Sequence, residues 1–353
     1  MPSGESPATK ASAHTTHRRT RRVTEDRSSG EPSRRGPLRA LLATLRPKHW
    51  VKNLFVLGPL LFSRHLGDLA TDLRSLGAFV IFCLASSAVY ILNDVTDLEA
   101  DRQHPRKRLR PIAAGEIGPR TALVLAVVLV VGTTAASFLY SSVFTLVVLA
   151  YLALNIAYSL GLKQVVIIDV MMIGGGFVLR VLGGAAAINV SPSHWLVLCT
   201  ILLSMFLGFT KRRAEITLLQ RKAADHRGVL FRYNPAFLDQ MISVVTAATL
   251  MCYILYTVDG RTIERVTGGS RGLLLTVPFV MYGIFRYLYV VYRLEKGGSP
   301  TSALLRDKML LGCIVLWALL CMAVIYSPEH FKRWFSRDVE PTAPTPAEKQ
   351  ANE

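Results

Sequence analysis

Long apolar runs recur along this chain, and each must be buried in protein or placed in lipid. "LGAFVIFCLASSAVYIL" (76–92), "ALVLAVVLVVGTTAASFLY" (122–140), "VFTLVVLAYLALNIAYSLGL" (143–162), "VVIIDVMMIGGGFVLRVLGGAAAI" (165–188) and "WLVLCTILLSMFLGF" (195–209) come first. "MISVVTAATLMCYILYTV" (241–258), "GLLLTVPFVMYGIFRYLYVVY" (272–292) and "MLLLGCIVLWALLCMAVIY" (309–326) follow. A helix of about 20 apolar residues crosses a bilayer. A soluble chain of 353 residues rarely reaches 51% hydrophobic content. With the shorter "KNLFVLGPLLFS" (52–63) as the first crossing, the expected fold is all-α, a polytopic membrane bundle of about nine transmembrane helices.

A formal charge of +17 invites a nucleic-acid reading, but the distribution of the charge argues against one. The loop 93–120 carries Arg102, Arg106, Lys107, Arg108, Arg110 and Arg120, and the segment 210–236 is equally basic; the alternate connections hold only Arg64, Arg74, Arg261, Arg265 and Arg271. Cations gather on the cytoplasmic side of membrane proteins. The N-terminus is therefore expected in the cytoplasm, with the basic segments also facing anionic lipid. Residues 1–36 are Ser/Thr/Arg-rich without apolar period and read as a disordered tail; 37–327 form the membrane domain, and 328–353 a C-terminal tail. The five cysteines lie within the spans without a C-x-x-C pair and read as packing residues.

At the end of the second span stands "LNDVTDLEADRQHPRKRLRPIAAG" (92–115). If the helix continues, Asp94, Asp97 and Asp101 fall at i, i+3 and i+7 on one stripe, with Asn93 beside it and Glu99 roughly opposite. Carboxylates on one stripe repel, and a helix C-terminus disfavours negative charge. A divalent cation would relieve both costs, and an all-oxygen donor set suits Mg²⁺, with Mn²⁺ as its substitute. A solvated loop, its acids paired with the following Arg and Lys residues, is the plain alternative. Polar residues at the mouth of a membrane helix favour the site.

This motif, with Arg110-Pro111 and Ala114-Gly115 downstream, resembles the first signature of the UbiA-type superfamily of membrane prenyltransferases. The resemblance implies a UbiA-like bundle of nine spans that holds Mg²⁺ against a substrate diphosphate in a cavity open to cytosol and bilayer. Members carry a second acidic motif, D-x-x-x-D, at the end of the sixth span; here that place reads "FTKRRAEITLL", with Lys211, Arg212, Arg213 and Glu215. Arg and Lys bind phosphate directly, without a metal. Together with "LRPKHWVKNLFVLGPLLFS" (45–63) and "YSLGLKQVVIIDVMMIGGGFVLRVLGG" (158–184), the change resembles the decaprenyl-phosphate phosphoribosyltransferase branch. Members join 5-phosphoribosyl pyrophosphate (PRPP) to a polyprenyl phosphate and release pyrophosphate, which implies a plasma-membrane enzyme supplying the arabinose donor lipid for cell-wall arabinan.

The expected roles follow. Asp94, Asp97 and Asp101 hold the metal, with Asn93 in support. Lys52, Arg108, Arg110, Tyr158 and Lys163 bind PRPP; Tyr158 and Lys163 are five apart, where the family commonly has four. Lys211, Arg212 and Arg213 bind the lipid phosphate. Lys48, on the Lys52 face by α-helical spacing, and Asp169, Arg180 and Glu215 are further candidates. Asp169 and Arg180 lie about three turns apart on one helix, too far to pair directly. The stretch 165–176 also invites comparison with the PRPP loop of soluble phosphoribosyltransferases, but it has one acid and no Thr, and a membrane span explains it better. A UbiA-type prenyltransferase acting on a small aromatic acceptor is the alternative function, and a lipid transporter a more distant one. The expected partners are PRPP, polyprenyl phosphate and anionic lipid, with no nucleic acid; a homo-oligomer is compatible with the sequence.

Overall fold

The structure is a computed structural model that describes residues 36–104, 107–221, 233–292, 307–327 and 329–331. The 222–232 and 293–306 segments lie outside these residues, as do Arg106 and all of the expected terminal tails except residues 36 and 329–331. The described residues are helical without strands. A short helix α1 (Pro37–Leu45) leads into a 3₁₀ helix (Pro47–Leu57) and a single turn α2 (Gly58–Phe62). Then come α3 (Leu69–Thr96), α4 (Leu98–Gln103), α5 (Pro119–Ser137), α6 (Ser142–Leu160), α7 (Ile168–Ala187), α8 (His194–Arg221), α9 (Pro235–Val258), α10 (Gly260–Arg265), α11 (Val277–Tyr292) and α12 (Lys308–Tyr326).

The ends of these helices are written in the sequence. Asp68, Ser141, Asn234 and Asp307 sit one residue before α3, α6, α9 and α12, and each side chain accepts a hydrogen bond from a first-turn N–H. Proline opens α1, α5 and α9, where its missing N–H costs nothing.

Among the described residues eight helices are long and apolar enough to cross a membrane, so this is a multi-pass membrane protein. The expected first crossing differs in kind. Residues 47–57 form a 3₁₀ helix, which rises about 2.0 Å per residue instead of about 1.5 Å. With α2 the segment reaches about 30 Å, the thickness of the hydrocarbon core, although it has too few residues to do so as an α-helix. Arg46 meets Asp94 near the C-terminus of α3, whereas Leu61 and Leu66 meet the Tyr326 hydroxyl at the end of α12, near the start of α3.

α7 is central. One buried cluster joins it to α8, α9 and α11 through Val170, Phe206, Phe209, Leu238 and Tyr287; another joins the 3₁₀ helix, α3 and α6 through Val56, Phe82, Phe144 and Tyr151. The 3₁₀ helix lies so close to α7 that a Cβ on Gly184 would stand 1.9 Å from the Val56 carbonyl oxygen. No residue larger than glycine fits there without moving the backbone. The five cysteines are free, as their placement within the spans suggests.

Candidate active site

The C-termini of α3, α6 and α8 and the N-termini of α7 and α9 meet at one end of the bundle, where the acidic motif lies. The expected continuous helix through the motif breaks once. α3 ends at Thr96, Asp97 stands at the junction, and α4 starts at Leu98.

Asp94 is buried and accepts from two guanidinium groups. Arg46 Nη2 reaches both carboxylate oxygens at 2.5 and 2.6 Å, and Arg110 Nη1 reaches Oδ1 at 2.9 Å. Asp101 is also buried, bonded to Arg110 and facing the Lys107 ammonium at 3.1 Å. Asp97 is the open carboxylate, 42% exposed, with the Lys163 ammonium 3.8 Å away. Asn93 Oδ1 accepts from the Ser159 hydroxyl at 2.6 Å. Glu99 points away, 79% exposed, and pairs with Arg102. The expected charge relief at this helix end comes here from side chains, and the acids do not form one three-carboxylate stripe. Instead of joining Asp94 and Asp97, Asp101 fixes the loop that carries Lys107 and Arg110. Among the described residues no three acids, histidines or cysteines gather as a metal-binding group. Asp94 and Asp97 alone still fit Mg²⁺, which takes one or two carboxylates and fills its remaining positions with water and substrate oxygens.

The first-span cations are rearranged by the 3₁₀ helix. With about three residues per turn, positions i and i+3 eclipse. Lys48 and Lys52 are therefore not on one face: Lys48 is exposed, whereas Lys52 is half-buried. Arg46, His49 and Lys52 instead form a file down the helix. Arg46 and Arg110 converge on one space at Asp94. Tyr90 closes it, its ring 5.1 Å from the Arg46 guanidinium carbon and 5.3 Å from the His49 ring. Arg108 is exposed, and Arg110 alone of the two turns inward.

The expected trio of lipid-phosphate cations separates, because successive helical residues point about 100° apart. Lys211 is partly exposed and approaches Glu215 at 3.7 Å. Arg212 is buried and held by Asp169 at 2.6 Å, Glu215 at 2.7 Å and the Tyr158 hydroxyl at 3.3 Å. Arg213 turns to Asp239 at 2.8 Å and lies over the Tyr292 ring. Arg212 and Glu215, with Tyr158 and Asp169, thus belong to a buried tie between α6, α7 and α8. Tyr233 completes it. Its hydroxyl donates to Asp169 Oδ1 at 2.6 Å and accepts from the Ile167 N–H at 2.7 Å. Burial and the Asp169 carboxylate push this phenol well above its ordinary range, so it stays a donor. Arg180, as expected, does not pair with Asp169; it bonds Asn53 and Tyr151 instead.

Sequence reasoning missed Arg46, Tyr233, Tyr151 and Ser159. A signal existed for Arg46. It begins a period-three cation pattern, Arg46, His49 and Lys52, that points to a 3₁₀ helix.

Residues 55–309 match the model of the UbiA prenyltransferase family. The chain belongs to the UbiA prenyltransferase family. This UbiA-family chain is 34% identical over 296 residues to a Corynebacterium glutamicum protein named decaprenyl-phosphate phosphoribosyltransferase, with 81% of this chain and 86% of the relative covered. A Mycobacterium tuberculosis protein of the same name is 34% identical over 283 residues, covering 78% and 91%. The UbiA fold is also seen in a solved structure, a UbiA homolog from Archaeoglobus fulgidus bound to GPP and Mg²⁺. It has a TM-score of 0.61 and 17% identity, covering 81% of this chain and 99% of that one.

Proposed function

We propose that this UbiA-family chain transfers the 5-phosphoribosyl group of PRPP to a polyprenyl phosphate, decaprenyl phosphate in the cell, and releases pyrophosphate. The observation that carries the reading is identity of about one third, across most of both chains, with two enzymes named for that reaction. The residue pattern supports it. The carboxylates Asp94 and Asp97 are met by Arg46, Arg110 and Lys163, and the place of a second acidic motif holds Lys211 and a neutralised Arg212. Such a site suits two phosphorylated substrates better than an uncharged aromatic acceptor.

In the reaction the C1–O bond to pyrophosphate breaks, and pyrophosphate leaves with the bonding pair. A lipid-phosphate oxygen forms the new bond to C1. That oxygen is ionised near neutral pH, so no strong general base is required. Asp94 and Asp97 would hold Mg²⁺, which when bound neutralises charge on the departing pyrophosphate. Arg46 and Arg110 bind and orient phosphate oxygens beside Asp94, and Lys163 does so beside Asp97. Lys211 attracts the acceptor phosphate. Positioning and electrostatics carry the catalysis, as expected among polyanions.

The site lies on the cytoplasmic face of the plasma membrane, where PRPP is available, and the product feeds the arabinose donor for arabinogalactan and lipoarabinomannan. Purified protein given labelled PRPP and polyprenyl phosphate should yield a ribosylated lipid and pyrophosphate. A chain that instead consumes polyprenyl diphosphate and an aromatic acid would overturn the assignment.

A further inference from the structure

One face of α3 carries Ser87, Tyr90 and Asp94, spaced i, i+3 and i+7 and so aligned on one stripe about 10 Å long. Arg46 lies along it. Its guanidinium reaches both Asp94 oxygens at 2.5 and 2.6 Å, and the centre of the Tyr90 ring stands 5.1 Å from its guanidinium carbon. The third contact is to the backbone. The Leu45 carbonyl belongs to the peptide bond that carries the Arg46 nitrogen. It accepts from the Ser87 hydroxyl at 2.7 Å, and the same hydroxyl faces the Cys83 carbonyl, one turn back, at 2.8 Å. Ser87 is fully buried, and its oxygen accepts from the Trp50 indole N–H at 3.1 Å. α3 thus holds the arginine at its backbone, along its side chain and at its charged end.

The local sequence creates the need for such a hold. α1 ends at Leu45, where the last carbonyls lack helical partners, and Pro47 brings no N–H to take one. Arg46 itself sits at φ 55° and ψ 57°. Few non-glycine residues adopt this left-handed conformation, and it persists only where the surroundings fix it. Ser87 does so by bonding the chain on both sides of Arg46, at the Leu45 carbonyl and the Trp50 indole. With its backbone fixed, the guanidinium leaves Asp94 only by turning about its own side-chain bonds. It then stays within reach of an anion beside that carboxylate. Such precision matters, because misplacing a reacting group by about 1 Å can cost about 100-fold in rate.

We propose that Ser87 and Tyr90 are positioning residues for Arg46: Ser87 sets its backbone and Tyr90 its side chain, so that the guanidinium meets the pyrophosphate group of the substrate. The naming of that group rests on the proposed reaction, whereas the cradle rests on the contacts themselves. Residues that act through Arg46 matter only while Arg46 is present. A purely structural role costs the same with or without it.

The test is binding of inorganic pyrophosphate with Mg²⁺ to the purified full-length chain, followed by calorimetry. Wild type, Arg46→Gln, Ser87→Ala and Tyr90→Leu are compared, with each of the last two also combined with Arg46→Gln. Arg46→Gln should weaken binding about tenfold or more, the size of one lost charge-assisted contact. Ser87→Ala should weaken it by about fivefold to tenfold, and Tyr90→Leu by about threefold, the size of a lost cation–π contact. In the Arg46→Gln background either substitution should change binding by less than about twofold. Equal losses in both backgrounds, no loss from either single substitution, or wild-type protein that binds no pyrophosphate overturns the proposal. The unfolding temperature without ligand verifies the fold of each variant. Should Ser87→Ala not fold, the Tyr90→Leu cycle, at a half-buried position, decides alone. If the coupling holds in a chain that forms no ribosylated lipid, the positioning stands and the proposed reaction falls.

Discussion

Asp94 accepts from two arginines at once, so its removal unbalances more than a metal ligand. Asp94→Asn should lower phosphoribosyl transfer by about 100-fold or more, the scale of losing one preorganised electrostatic partner; steady-state turnover with labelled PRPP measures it. The three consecutive cations of α8 should behave as three different residues. Lys211→Ala is expected to cost about 10- to 100-fold in kcat/KM for the acceptor. Arg213→Ala, whose side chain turns to Asp239 and Tyr292, should leave kcat/KM near wild type. At Ile167 a β-branched residue is held at φ 71°, a conformation in which few non-glycine residues are found. Tyr233 secures it by accepting its N–H while donating to Asp169. Tyr233→Phe should therefore destabilise the chain by about 1–3 kcal/mol, seen as earlier unfolding in detergent.

At the scale of elements, the helices were legible because apolar length, capping residues and prolines mark them independently. The break at Asp97 was not, and apolar periodicity over so short a window does not separate the three residues per turn of 47–57 from 3.6, so only the cation spacing carried that signal. That one difference moved Lys48 out of the site and put His49 in line with Lys52. The acidic motif itself could be read from spacing; its partners could not. Arg46 lies 48 positions before Asp94, and Tyr233 lies 64 after Asp169, so only folding brings them together. The same limit hid the fate of Arg212, whose neutralisation by Asp169 joins two spans. Gly184 gives the element-scale prediction. Gly184→Ala places a methyl group on the Val56 carbonyl and should cost at least about 1–3 kcal/mol, as overpacking does, with a lower unfolding temperature as the readout.

For the whole molecule, the distribution of cations sets an expected orientation that labelling can check. Arg108 and Arg64 are both exposed, on connections assigned to opposite sides of the membrane. In spheroplasts a membrane-impermeant maleimide should label Arg64→Cys and leave Arg108→Cys unmodified until the membrane is permeabilised. The native thiols sit within spans and give a low background. The reverse pattern would turn the molecule over and remove the site from the compartment that holds PRPP.

The 3₁₀ helix makes residue number in this segment matter more than residue identity. Each residue there advances the chain by about 120° and about 2.0 Å. One residue inserted between Arg46 and Lys52 would rotate everything beyond it by a third of a turn, carrying Asn53 away from Arg180 and setting another carbonyl against Gly184. A substitution changes one contact, whereas an insertion changes the phase of them all. Among functional chains of this architecture, the interval between Arg46 and Lys52 should therefore vary in composition and not in length.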